Sequence, residues 1–196
     1  MIYGIDISHH NKPSTVPYAD SDFIIMKATE GKTFSDKKML EHYNNAKAFG
    51  KEVGFYHYAR PENNTVEDEV ARFVGTLSRD NLIGKGILAL DWEDKALTQP
   101  ITWARLWLDE VYALTGIRPL FYCQWSFTSS KNISLIREGN YGLWVARYYK
   151  NTGMPDNRGC KPLDEKSRAM WQYTSNPIDR DIFYGSVEQF RKYYKK

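Results

Sequence analysis

The chain has 196 residues, 42% hydrophobic and 26% charged, which excludes a disordered chain and, at roughly 100 to 200 residues per domain, predicts one domain over 1–196. A formal net charge of +3 is too small to argue for a nucleic-acid partner. No apolar run approaches the roughly 18 residues needed to cross a bilayer, so membrane insertion is not expected either.

Eight short β-rich runs follow one another: 2–8, 23–29, 53–59, 86–93, 119–124, 142–148, 169–174 and 178–184. Helical patterns lie between several of them. Ser35 is placed to cap a helix carrying Met39, Tyr43, Ala46 and Phe49 on one face, ended by Gly50. Thr65, with Asp68 three residues on, precedes an apolar stripe of Val66, Val70, Phe73, Val74 and Leu77. A third helix is predicted over about 98–115, with Pro100 in its first turn and Gly116 after it, and a last one over about 186–194. Little helical periodicity follows the fifth, sixth and seventh runs, and 150–166 reads as a long loop.

Alternating strands and helices imply a mostly parallel α/β sheet, and eight strands suit a closed barrel. A regular eightfold barrel takes about 250 residues. The expectation is therefore an irregular (β/α)8-like TIM barrel with reduced helices in its second half; an open doubly wound sheet is the alternative.

The N-terminus enters the first apolar run directly, without the basic segment and cleavage site of an export signal, which predicts synthesis in the cytoplasm. Cys123 and Cys160 are too few for a disulfide framework and are expected to be free, Cys123 in the core. His9 and His10 lack a third ligand at diagnostic spacing, so neither a metal nor another cofactor is expected. The basic group Arg191, Lys192, Lys195 and Lys196 reads as a solvated helix end. With 14 tyrosines and 6 tryptophans, the chain has aromatic side chains enough for both a core and ring stacking on a ligand, and composition leaves both uses open.

In such barrels the site lies where the strands end, and nearly every run ends on a polar side chain. Asp6 closes the first, Glu30 follows the second, His57 ends the third, and Gln172 and Asp179 lie on the seventh and eighth. Leu90-Asp91-Trp92-Glu93 is the sharpest feature, because residues two apart on a strand point to one side, about 6 to 7 Å apart. Two carboxyls so placed repel, which raises the pKa of one and leaves the other charged. That division supplies a proton donor and an anionic stabiliser, as glycosidic cleavage requires. Pairing with Lys or Arg is the alternative for such a pair, but Asp6 and Asp179 on the first and last strands, neighbours in a closed barrel, extend it toward an acidic cluster.

Taken in order, Gly4-Ile5-Asp6-Ile7-Ser8, Lys27-Ala28-Thr29-Glu30-Gly31, Phe55-Tyr56-His57-Tyr58, Leu90-Asp91-Trp92-Glu93, Leu143-Trp144-Val145-Ala146-Arg147-Tyr148, Trp171-Gln172-Tyr173 and Ile178-Asp179-Arg180-Asp181 resemble the glycoside hydrolase family 25 lysozymes. These are muramidases common among phage endolysins and bacterial autolysins, and the likeness runs from residue 2 to about 183. It implies cleavage of the β-1,4 bond between N-acetylmuramic acid and N-acetylglucosamine in bacterial peptidoglycan, by a retaining route. Glu93 matches the family's general acid, Asp91 the carboxylate beside the anomeric centre, and Asp6 and Asp179 the remaining acids. The nucleophile is either a carboxylate or the substrate's own 2-acetamido group. The family's last strand reads Asp-x-Asn, so Asp181 is a departure whose role stays open.

On this reading Tyr56, Tyr122, Trp144, Tyr148 and Gln172 line the sugar cleft, and Glu30 pairs with Lys27 in its wall within reach of the sugar. The partner is the cell wall, reached after cytoplasmic synthesis through a holin or another release route, and a monomer is expected. A glycan-binding barrel without activity, or an acid-pair hydrolase of another amino-sugar polymer such as chitin, uses the same residues.

Overall fold

The computed structural model describes residues 1–130, 133–156, 158 and 168–195. Its strands are β1 (Ile2–Ile7), β2 (Phe23–Glu30), β3 (Phe34–Ser35), β4 (Glu52–Tyr58), β5 (Ile87–Asp91), β6 (Leu120–Gln124), β7 (Leu143–Ala146), β8 (Arg168–Thr174) and β9 (Arg180–Phe183). They pair in the order β1-β9-β8-β7-β6-β5-β4-β2, and β1 returns to β2, which closes an eight-stranded barrel. The two-residue β3 is a hairpin extension on β2. The expected barrel is present, with one reversal: β9 runs antiparallel to both β8 and β1. Only residues 175–179 join β8 to β9, far short of the dozen or more that a parallel crossover takes.

Partners in register face the same side of a sheet, so the barrel interior can be followed from strand to strand. Lys27 lies beside Tyr56, Asp91 beside Tyr122, Tyr122 beside Trp144, and Gln172 beside Asp181, which in turn lies beside Gly4. The alternate residues Ile5, Met26, Phe55, Leu90, Phe121 and Val145 point outward and are buried. With apolar side chains on both faces over most of their length, these strands read as nearly continuous apolar runs. Two interior positions need glycine: a Cβ on Gly4 would lie 2.4 Å from the Phe23 ring, and one on Gly54 would lie 2.7 Å from Ile87.

Helices cover the outward faces. In α1 (Met39–Ala48) the buried residues are Met39, His42 and Ala46, and the helix packs on β2 and β4. Lys38 is its N-cap, and the Lys38 amide donates to the Asp36 side chain at 2.9 Å; Ser35 lies in β3 and bonds Thr76 instead. Phe49, predicted on the buried face, is 55% exposed because the helix ends before it. In α2 (Val66–Arg79) Thr65 caps the helix by accepting from the Asp68 amide, and Val66, Val70, Phe73 and Leu77 are buried as the stripe predicts. Pro100 precedes α3 (Ile101–Thr115), and Gly116 ends it in the left-handed conformation, φ 69°. Phe73 and Trp107, with ring centroids 5.3 Å apart, join α2 to α3.

Two short helices, α4 (Trp125–Ser130) and α5 (Ser134–Glu138), follow β6, where the sequence shows no clear periodicity. Each is too short to display one. The last helix, α6 (Val187–Arg191), starts at a Ser186–Gln189 capping box and is shorter than predicted. It packs against the lower end of the barrel, Phe190 against Phe23 and Phe183 at 5.1 Å each. Arg191 is not simply solvated: it pairs with buried Glu52 at 2.6 Å, and Tyr194 also bonds Glu52. Cys123 is free and buried, whereas Cys160 and most of the predicted 150–166 loop lie outside the described residues.

A methyl at Gly4 meets both the Phe23 ring and the Phe23 carbonyl oxygen, at 2.5 Å. Gly4→Ala is expected to cost at least about 1–3 kcal/mol of stability. Equilibrium urea denaturation checks this.

Candidate active site

Because β9 is reversed, its beginning lies at the barrel end where the parallel strands finish. Asp179, immediately before β9, thereby comes beside Asp6 at the end of β1. A cavity of about 180 Å³ opens there. Its wall contains the four predicted acids Asp6, Asp91, Glu93 and Asp179, together with Tyr56, Tyr122, Trp144, Tyr148 and Gln172. A larger cleft of about 650 Å³, lined by residues including Arg118, Tyr141, Lys192 and Tyr193, lies at the opposite barrel end and contains none of these acids.

The strand β5 ends at Asp91, two residues earlier than predicted, yet Glu93 keeps an extended backbone, φ −143° and ψ −176°. The alternation therefore continues, so Asp91 and Glu93 share the cavity while Trp92 turns outward against Trp103 and Phe121. Trp92 is fully buried and anchors the loop that carries Glu93.

Burial dominates the electrostatics. It raises the Glu93 pKa to about 7, helped by the charges of Asp94 and Asp179. Burial likewise raises Asp179 to about 6, and burial with the Asp179 charge raises Asp6 to about 8. Asp91 is also pushed up, by burial and then by Glu93 and Asp6. The sequence predicts that one member of the Asp91–Glu93 pair is raised and the other left charged; instead both are raised, because desolvation acts on both. Lys27 opposes this for both acids.

Lys27 does not reach the acids as an ion-pair partner. Its Nζ is 2.6 Å from Glu30 and 4.5 Å from the centre of the Tyr58 ring. Arg60 bonds the other Glu30 oxygen at 2.6 Å and stacks on Tyr58 at 4.5 Å. The expected Lys27–Glu30 pair is thus present, but Glu30 does not line the cavity and both its oxygens are occupied by cations. Arg60 escapes sequence reasoning, since only the fold brings it to Glu30. Asp94, which accepts from the Tyr58 hydroxyl at 2.6 Å, also escapes it, although its place next to Glu93 was a signal.

Hydrogen bonds orient the remaining wall. The hydroxyls of Tyr122 and Tyr148 both donate to Gln172 Oε1, at 2.9 and 2.5 Å, and Gln172 Nε2 donates to Asp6 Oδ2 at 2.6 Å. Trp144 Nε1 donates to Asp181 Oδ1 at 2.7 Å. At 2% exposure Trp144 is wall rather than open stacking surface, whereas Tyr148, 38% exposed, offers its ring at the rim. His57 faces α2, with Nε2 2.7 Å from Glu69 and Nδ1 2.7 Å from the Thr29 hydroxyl, an orienting role in the barrel wall. His9 Nδ1 lies 3.0 Å from Asp36.

A closed barrel with a cluster of carboxyls at its mouth, their pKa values raised by burial so that an acid stays protonated toward neutral pH, defines a class of acid-catalysed glycosidases. Residues 5–182 match Glycosyl hydrolases family 25, and the chain belongs to that family. Lysozyme M1 of Streptomyces globisporus is 31% identical over 95% of this chain and 69% of its own length. The lysozyme of Streptococcus phage Cp-9 is 28% identical over 96% of this chain and 55% of its own length, so the chain spans about half to two thirds of these relatives. The structure of a family GH25 lysozyme from Aspergillus fumigatus is similar throughout, with TM-score 0.76 and 25% identity over 100% of this chain and 99% of that one.

The raised pKa values have a consequence for stability. Each acid binds its proton more tightly folded than unfolded, where the pKa is about 4, so the contribution is complete below that pH. It is lost as pH rises through about 6, 7 and 8 for Asp179, Glu93 and Asp6. The melting temperature is expected to fall between pH 5 and pH 8.5, and to fall less in Glu93→Gln. Calorimetry at both pH values measures the difference.

Proposed function

We propose that the chain is a lysozyme that hydrolyses the β-1,4 bond between N-acetylmuramic acid and N-acetylglucosamine in bacterial peptidoglycan, with Glu93 as general acid. The observation that carries this is the placement of Glu93 beside Asp91 in the acid-lined cavity, with a pKa near 7 that leaves it protonated in mildly acidic to neutral solution. The lysozyme names of the relatives support the choice of polymer.

Glu93 gives its proton to the glycosidic oxygen as the bond from that oxygen to the anomeric carbon breaks. Positive charge develops on the sugar ring, and the negative charge of Asp179, whose pKa of about 6 is the lowest of the cluster, stabilises it, with Asp6 and Asp91 beside it in the wall. Once the leaving sugar has gone, Glu93 is ionised. The anomeric carbon is bonded meanwhile by a nucleophile on its opposite face, a carboxylate of the cluster or the substrate's own 2-acetamido oxygen. Glu93 takes a proton from the water that displaces this nucleophile, which restores the acid, and the two displacements retain the configuration. Tyr56, Tyr122 and Gln172 shape the wall, Tyr148 offers a ring to the sugar, and Glu30 acts from a distance by holding Lys27 and Arg60.

Residues 1–196 form one catalytic domain that acts on the cell wall as a monomer. It reaches the wall after cytoplasmic synthesis through a holin-type membrane lesion or another release route.

Digestion of purified peptidoglycan, borohydride reduction and mass spectrometry of the fragments test the bond. Muramitol ends are expected; glucosaminitol ends would refute the bond specificity, and no new ends from folded, wall-bound protein would favour a glycan-binding barrel. Glu93→Gln is expected to keep its fold by circular dichroism and to lose at least about 10²- to 10⁴-fold in kcat. Retained activity in that variant would remove Glu93 as the acid.

A further inference from the structure

We propose that the cleft at the lower barrel end is a second binding site: it takes the phosphate groups of an anionic polyol phosphate chain of the cell wall and so holds the domain with its catalytic mouth free. The wall as the setting rests on the glycosidase reading, but the phosphate site itself does not.

At about 650 Å³ the cleft has the size of a ligand site rather than of a packing defect. Arg118, Arg137, Arg168 and Lys192 line it, and among the described residues no aspartate or glutamate does. A neighbouring cavity of about 320 Å³ shares Gly116, Lys192 and Tyr193 with it and adds Lys195, which extends the basic track past the end of α6. The whole chain carries a formal net charge of only +3, so this is a local concentration of positive charge. At the mouth the arrangement is reversed: four acids and, among the described residues, no cation line that cavity.

Two of the cations are held ready for an anion. Arg118 Nη1 donates to the Gly139 carbonyl at 2.6 Å, and its guanidinium lies 4.2 Å from the centre of the Tyr112 ring and 5.3 Å from that of Tyr141. These contacts fix a planar fork whose other N–H groups match two oxygens of one phosphate. Tyr141 is itself anchored, its hydroxyl donating to Asp109 at 2.5 Å, and that carboxylate pairs with Arg105 at 2.8 Å. Lys192 follows α6, whose end is fixed where Arg191 and Tyr194 bond Glu52, and it is exposed at the cleft. Neither Arg118 nor Lys192 forms an ion pair among the described residues, so their charge is not spent inside the fold. A free phosphate ion would engage one fork, whereas cations that continue from Arg118 to Lys192 and Lys195 match a chain that repeats its charge.

The test measures binding of short poly(glycerol phosphate) by calorimetry to wild type, Lys192→Glu and Arg118→Gln, which needs no activity. Wild type is expected to bind, at least about tenfold more weakly at about 0.3 M salt than at about 0.05 M. Each variant is expected to bind at least about fivefold more weakly than wild type and with a shallower salt dependence. On soluble peptidoglycan fragments that carry no phosphate, kcat/KM of Lys192→Glu is expected to stay within about twofold of wild type.

No binding at low salt, or equal binding by wild type and Lys192→Glu, would overturn the site. Equal or tighter binding of a single-stranded oligodeoxynucleotide or of anionic lipid vesicles would overturn the wall polymer as its occupant, and inorganic phosphate competing as well as the polymer, per phosphate, would overturn the chain. Should Arg118→Gln fail to fold, the exposed Lys192 position decides alone. Polymer binding that Lys192→Glu weakens, in a protein without glycosidase activity, would leave the phosphate site standing and refute the proposed function instead.

Discussion

The carboxyl cluster depends on the direction of the last strand. The parallel strands deliver Asp6 and Asp91 to one barrel end, but a ninth strand running the same way would begin at the other end, and Asp179 would fall near Glu52. The short connection over 175–179 forces β9 to reverse, and the reversal closes the barrel through β1 while bringing Asp179 beside Asp6. Closure and assembly of the site are thus one event, set by the length of a single turn.

The cluster is costly because its members are buried together with no ion-paired cation among the described residues. Folding tolerates this by keeping protons on the acids, which makes the site acid-ready and the protein sensitive to rising pH. The offsetting stabilisation comes from elsewhere: outward-facing apolar strands under α1, α2 and α3, and the α6 plug whose Phe190 packs on Phe23 and Phe183. The two barrel ends therefore divide the labour. The lower end neutralises its buried acid, Glu52, with Arg191, whereas the upper end leaves its acids unneutralised for chemistry.

Cations near the site are held at one remove. Glu30 engages Lys27 and Arg60, and Tyr58 presents its ring to both, so their charge lowers the Glu93 pKa without quenching the acid. Opposite them, the Tyr122 and Tyr148 hydroxyls fix the Gln172 amide, and Gln172 in turn fixes Asp6. Polar groups in the wall thus orient the acids, and the rim is left to Tyr148.

Sequence alone determined the features that follow from local geometry. Alternation along an extended chain placed Asp91 and Glu93 on one side, apolar runs located the eight barrel strands, and capping chemistry located α2 and the end of α3. The short helices α4 and α5 escaped because fewer than two turns cannot display a helical period, and Ser35 does not cap α1 because it is drawn into the β3 hairpin, so that the helix starts at Lys38. Only the tertiary structure decided the reversal of β9, the capture of Glu30 by two cations, the wall role of Trp144 and the meeting of Asp181 with Trp144. Each of these depends on strand register and barrel closure between residues far apart in the chain, and no local pattern of side chains encodes a partner that closure alone brings within a hydrogen bond.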